Sequence, residues 1–62
     1  MFLKLTLMNG EKTFVNMSLV YEMRTEQYPD GKGSRLFVST GGEGDAISVK
    51  ESCEEIIYAL GL

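Results

Sequence analysis

Histidine is absent from this chain of 62 residues, and with it go the commonest general base and a frequent metal ligand. Nucleophilic triads built on histidine are thereby excluded. Cysteine occurs once, as Cys53, so no disulfide can form within the chain. Small secreted domains usually depend on such staples, which points to a cytoplasmic setting. Basic residues are in short supply: 6 Lys and Arg stand against 9 Asp and Glu, a net charge of −3. Non-specific nucleic-acid binding rests on a basic surface, so nucleic acid is not the expected partner. No stretch approaches the roughly 20 apolar residues of a membrane span. The opening Met1-Phe2-Leu3-Lys4 turns polar too early for a secretory leader.

What is present is ordinary for a folded protein: 44% hydrophobic and 24% charged residues. A chain of this length buries only about 60% of the surface its unfolded form exposes. One domain, residues 1–62, with a marginal core is the expectation.

Leu3, Leu5 and Leu7 alternate with Lys4 and Thr6, the period of a half-buried strand. Asn9-Gly10 follows, a pair that favours the positive backbone angles of a tight hairpin, and Lys12 to Asn16 is the return strand. From Met17 to Glu26 a period of two places Leu19, Tyr21 and Met23 on one face, with a short turn near Ser18-Leu19 leading in; a helix that aligns Leu19, Val20 and Met23 is the alternative. Tyr28-Pro29-Asp30-Gly31 reads as a turn and Lys32-Gly33-Ser34 as a polar loop. Arg35 to Thr40 resumes as a strand with Leu36 and Val38 on one face and Phe37 on the other. Gly41 to Asp45 reads as a second turn, and Ala46 to Val49 as a short strand.

The close is a helix. Ser52-Cys53-Glu54-Glu55 has the spacing of a capping box, the two glutamates suit the positive end of the dipole, and Cys53, Ile56, Ile57 and Leu60 form an apolar stripe. Gly61 is the expected stop. The fold class is therefore α+β: a small antiparallel β-meander of about five short strands, with a barrel-like closure as an option, and one C-terminal helix.

No constellation here carries catalysis. Cys53 falls on the apolar stripe and is followed by two carboxylates, so it reads as a structural thiol. Glu54 and Glu55 are adjacent and do not face each other on a helix. Asp30-Gly31-Lys32-Gly33 lacks the ligand spacing of a calcium loop. The Gly41-Gly42-Glu43-Gly44 run lacks the lysine and helix of a phosphate loop. The expectation is a protein without enzymatic activity, cofactor or metal.

Apolar residues lie on both faces of several strands, more than one short helix can cover. Surplus apolar surface marks association, which predicts a homo-oligomer or a module docking on a protein partner. Phe2, Met8 and Phe37 are the apolar contact candidates, with Glu54 and Glu55 at the exposed helix start. The alternative is a small-barrel RNA or nucleotide binder using Lys32, Arg35 and Phe37, since stacking needs aromatics among basic residues.

Three stretches together carry a family resemblance. Leu3-Lys4-Leu5-Thr6 with Asn9-Gly10, then Asn16 with Leu19-Val20 and Met23, then Val49-Lys50-Glu51-Ser52 with Glu54-Glu55-Ile56-Ile57 resemble the FlbD/SwrD-type small flagellar and swarming-motility proteins. The order is kept over nearly the whole chain; the loops at Tyr28 to Ser34 and Gly41 to Asp45 are longer than that family's. The resemblance implies a bacterial or phage cytoplasmic accessory protein, assisting motility or binding a host protein, that acts by contact and has no catalytic residues.

Overall fold

The structure, a computed structural model, describes residues 1–40 and 43–62. β1 (Phe2–Thr6) and β2 (Lys12–Asn16) pair antiparallel, with Leu3 opposite Val15 and Leu5 opposite Thr13. Alternation sends Leu5 and Val15 inward, where both are buried. The connecting turn is closed by Leu7 N–H to the Glu11 carbonyl (2.8 Å) and Gly10 N–H to the Leu7 carbonyl (2.9 Å). Only Gly10 of the Asn9-Gly10 pair takes a positive φ, at 92°. Asn9 contributes through its side chain instead: Oδ1 accepts from the Glu11 amide at 2.9 Å and Nδ2 donates to the Glu11 carboxylate at 2.7 Å.

A single 3₁₀ turn, Met17–Leu19, redirects the chain, capped by Asn16 Oδ1 accepting from the Ser18 amide. β3 (Val20–Tyr28), β4 (Gly31–Thr40) and β5 (Glu43–Val49) then form an antiparallel meander. A register shift between Val20 and Glu22 breaks the regular alternation of β3. Val20 and Met23 therefore both pack toward the core while Tyr21 stands out at 63% exposure, so Tyr21 does not share a face with Met23 as a plain period of two predicts.

The polar loop expected at Lys32-Gly33-Ser34 is strand: Tyr28 pairs with Gly31, leaving Pro29-Asp30 as a two-residue turn. Tertiary demand overrides the loop-like composition. Ser34 is fully buried, and its hydroxyl donates to the Glu51 carbonyl at 2.7 Å. Gly33 lies beneath the Tyr28 ring, where a Cβ would fall 2.6 Å from Tyr28 Cε2 and against the Val49 carbonyl oxygen. The strand expected from Ala46 begins at Glu43, because β4 runs on to Thr40 and supplies it with partners. Gly41 and Gly42 of the expected turn lie outside the described residues.

α1 (Cys53–Leu60) starts on the predicted capping box. Ser52 Oγ accepts from the Glu55 amide at 3.1 Å and the Glu55 carboxylate accepts from the Ser52 amide at 3.2 Å; Gly61 ends the helix in the left-handed region. Of the predicted stripe, Ile56 is fully buried, Cys53 and Leu60 are half-buried, and Ile57 remains 39% exposed. Burying Ile56 contributes about 1.5–3 kcal/mol.

The core joins Leu5 and Val15 of the hairpin, Leu36 and Val49 of the three-stranded sheet, and Ile56 of the helix. The two sheets meet through one bridge, Leu7 with Val49, and the bond from Lys50 N–H to the Thr6 carbonyl (2.8 Å). The barrel-like closure does not form: the 3₁₀ turn separates β2 from β3, and the two sheets remain distinct.

Candidate interaction surfaces

The outer face of the β1–β2 hairpin follows from the alternation that buries Leu5 and Val15. Phe2, Lys4 and Thr6 of β1 lie beside Asn16, Phe14 and Lys12 of β2. Phe14 sits opposite Lys4 and diagonal to Phe2, a spacing of about 7–8 Å between backbones that long side chains bridge. Phe2 is 64% exposed and Phe14 68% exposed. Neither strand contains an acidic residue, so Lys4 makes the face basic beside the two aromatic rings, while the Lys12 end is offset by Glu51, which bonds Thr6. Met8 is not beside Phe2. It is half-buried in the turn at the far end of β1, lining a small hollow with Tyr28, Lys32 and Lys50.

On the outer face of the three-stranded sheet, half-buried Phe37 meets Tyr21 with ring centroids 6.3 Å apart. The Arg24 and Arg35 guanidiniums lie 5.6 Å and 5.8 Å from the Phe37 centroid, within cation–π range. Both are also paired with carboxylates, Arg24 with Glu22 and Arg35 with Glu26, the latter at 3.2 Å. The structure thus brings Arg35 and Phe37 together, while strand alternation assigns Lys32 to the opposite face. The face is aromatic and balanced in charge.

The outward side of α1 carries Glu54, Glu55, Ile57 and Tyr58, the last at 87% exposure, and the helix contains no basic residue. Between the end of the helix and β3 lies an open groove of about 220 Å³ lined by Met17, Val20, Tyr21, Glu22, Met23 and Leu60.

One polar cluster fastens the hairpin to the sheet. The Glu51 carboxylate accepts from the Thr6 amide at 2.8 Å and 3.0 Å and from the Thr6 hydroxyl at 2.8 Å. Lys12 Nζ donates to that hydroxyl at 2.6 Å. Desolvation pushes the Glu51 pKa up, but the Thr6 hydrogen bonds, its own backbone amide and the Lys12 charge outweigh it and hold it below the ordinary value. Thr25 Oγ1 donates to Cys53 Sγ at 3.8 Å, and Ser34 Oγ, whose proton goes to the Glu51 carbonyl, lies 3.3 Å from the same sulfur. Among the described residues no group of three or more metal-ligating side chains comes together, and no helix is long and apolar enough to cross a membrane.

Phe14, Tyr21 and Tyr58 are surface residues that the contact candidates named from sequence leave out. Phe14 had a signal: once Val15 faces the core, its neighbour faces out. Tyr21 had none, because a bulge is invisible to a simple period. Comparison with known protein families, with curated proteins and with solved structures gives no match.

Proposed function

We propose that this protein acts by contact, as a small non-catalytic module that associates with itself and through the same surfaces binds protein. The observation that carries the reading is the pair Phe2 and Phe14, together on one solvent face at 64% and 68% exposure. Phenylalanine offers water no hydrogen bond. Two of them diagonal on one exposed face of a domain with few buried residues are what an interface centre requires. The resemblance to the small flagellar and swarming-motility proteins, carried by Leu3 to Thr6, Asn9-Gly10 and the residues from Val49 to Ile57, supports a bacterial or phage setting, in the cytoplasm, for such a module. Sedimentation velocity from low micromolar to several hundred micromolar tests it. A concentration-dependent rise in mass is expected, and a strict monomer throughout overturns self-association.

The RNA or nucleotide reading draws its support from the Phe37 cluster, where Arg24 and Arg35 flank an aromatic ring. Phosphate would have to compete with Glu22 and Glu26 for both guanidiniums, which places this reading second. Binding of a labelled single-stranded oligonucleotide that falls steeply with salt would promote it.

A further inference from the structure

The basic aromatic face of the hairpin and the acidic face of the helix are complementary, and each is the wrong partner for itself. β1 and β2 carry Lys4 and Lys12; the Glu51 carboxylate on Thr6 offsets Lys12, which leaves Lys4 as the cation beside Phe2 and Phe14, while α1 carries Glu54 and Glu55 and no base. Each presents exposed aromatic surface beside its charges: Phe2 and Phe14 on the hairpin, Tyr58 on the helix. A two-fold contact of hairpin on hairpin sets lysine against lysine, and helix on helix sets glutamate against glutamate, both repulsive.

A single molecule cannot bring its own two faces together. Phe14 points away from the core that its neighbour Val15 enters. Glu54 and Tyr58 each lie about 200° around the helix from Ile56, which is buried in that same core. The two faces diverge from one shared interior.

We infer that copies of this chain join head to tail, the Phe2–Lys4–Phe14 face of one against the Glu54–Tyr58 face of the next. This rests on the self-association proposed above and adds its geometry. A heterologous contact leaves one free face of each kind at the ends, so it closes into a ring or extends as an open chain rather than stopping at a two-fold dimer. The charged rim makes association weaker at higher salt.

Two variants test this, because each spoils one face only. Phe14→Glu removes the hairpin face and Tyr58→Lys the helix face; both positions are exposed, at 68% and 87%, so the core is untouched. Circular dichroism checks folding, and Lys4→Glu replaces Phe14→Glu should the latter fail to fold. Each variant alone is expected to sediment as a monomer at concentrations where the parent assembles. An equimolar mixture is expected to give a one-to-one heterodimer and nothing larger, since one variant keeps only a helix face and the other only a hairpin face. A parent that assembles while either variant assembles equally well, or a mixture that stays monomeric, overturns the head-to-tail geometry and leaves self-association standing. A monomeric parent overturns both.

Discussion

Glu51 holds Thr6 by three hydrogen bonds of 2.8–3.0 Å across 45 residues of sequence. The Thr6 amide faces away from β2, on the open edge of β1, where an unpaired donor would otherwise meet the sheet junction. The carboxylate caps it and at the same time takes the Thr6 hydroxyl, which in turn accepts from Lys12. Together with the Lys50 amide on the Thr6 carbonyl, this is the polar seam between the two sheets.

The seam makes stability depend on acid in a stated direction. The pKa of Glu51 is lower in the folded chain than its ordinary value. Its contribution is therefore complete above the unfolded value of about 4.3 and is lost as pH falls through the folded one. Urea unfolding between roughly pH 3 and 6 should show the parent losing stability toward the acid end. Glu51→Gln should be less stable near neutrality by about 1 kcal/mol, less than the roughly 1.5–3 kcal/mol of a hydrogen bond to a charged group because the site is partly open to water. Its acid limb should also be flatter; an unchanged limb would remove Glu51 from the seam.

Gly33 is fixed by what lies over it. With the Tyr28 ring and the Val49 carbonyl oxygen both occupying the space of a Cβ, Gly33→Ala must push backbone as well as a ring. A loss of about 1–3 kcal/mol is expected, the cost of overfilling a packed site. Gly10→Ala is the comparison: nothing lies within 4 Å of its Cβ position, and its cost comes from the positive φ of 92°, about 1–2 kcal/mol. Thermal unfolding of both variants separates steric from conformational cost, and an unperturbed Gly33→Ala would contradict the packing described.

These two glycines also show where the sequence is legible. Gly10 follows Asn9 between alternating strands, and Ser52 stands three residues before Glu55; both are local signals, read over a few residues, and the hairpin and the helix lie where those signals put them. Gly33 and Ser34 look like loop because glycine, serine and lysine are loop-rich residues. They are strand because Tyr28, Val49 and Glu51, up to 17 residues away, need a bare backbone and a buried hydroxyl there. The same limit governs the surface. Phe2 and the acidic helix start were visible as contact candidates, whereas the grouping of Phe37 with Tyr21 and Arg24 depends on a bulge and a cross-strand register that no local pattern encodes.

The Tyr28 hydroxyl is buried and has no hydrogen-bond partner among the described residues. An unmet buried donor is a standing cost of about 1–3 kcal/mol, while the ring itself is needed over Gly33. Tyr28→Phe keeps the ring and deletes the hydroxyl, so it should leave stability unchanged or raise it by about 1 kcal/mol. Tyr28→Ala should be clearly destabilising, because Gly33 then loses its cover. A Tyr28→Phe variant less stable than the parent in urea would show that the hydroxyl has a partner.

Ser34 poses the opposite case. It is fully buried and its hydroxyl donates to the Glu51 carbonyl at 2.7 Å while lying 3.3 Å from Cys53 Sγ. The carbonyl it satisfies sits one residue before the N-cap of α1, so the bond ties the start of the helix to β4. Ser34→Ala keeps the fit and leaves that carbonyl without its donor, at a cost of about 1–3 kcal/mol. Ser34→Thr retains the hydroxyl but adds a methyl at a fully buried position, at a similar cost by a different route. Cys53→Ala removes only the weak sulfur acceptor and some packing, and should cost less than Ser34→Ala. Amide exchange at the first turn of α1 distinguishes these cases. Ser34→Ala should loosen the helix start more than the rest of the sheet, and uniform loosening would mean that the hydroxyl is filling space rather than anchoring the helix.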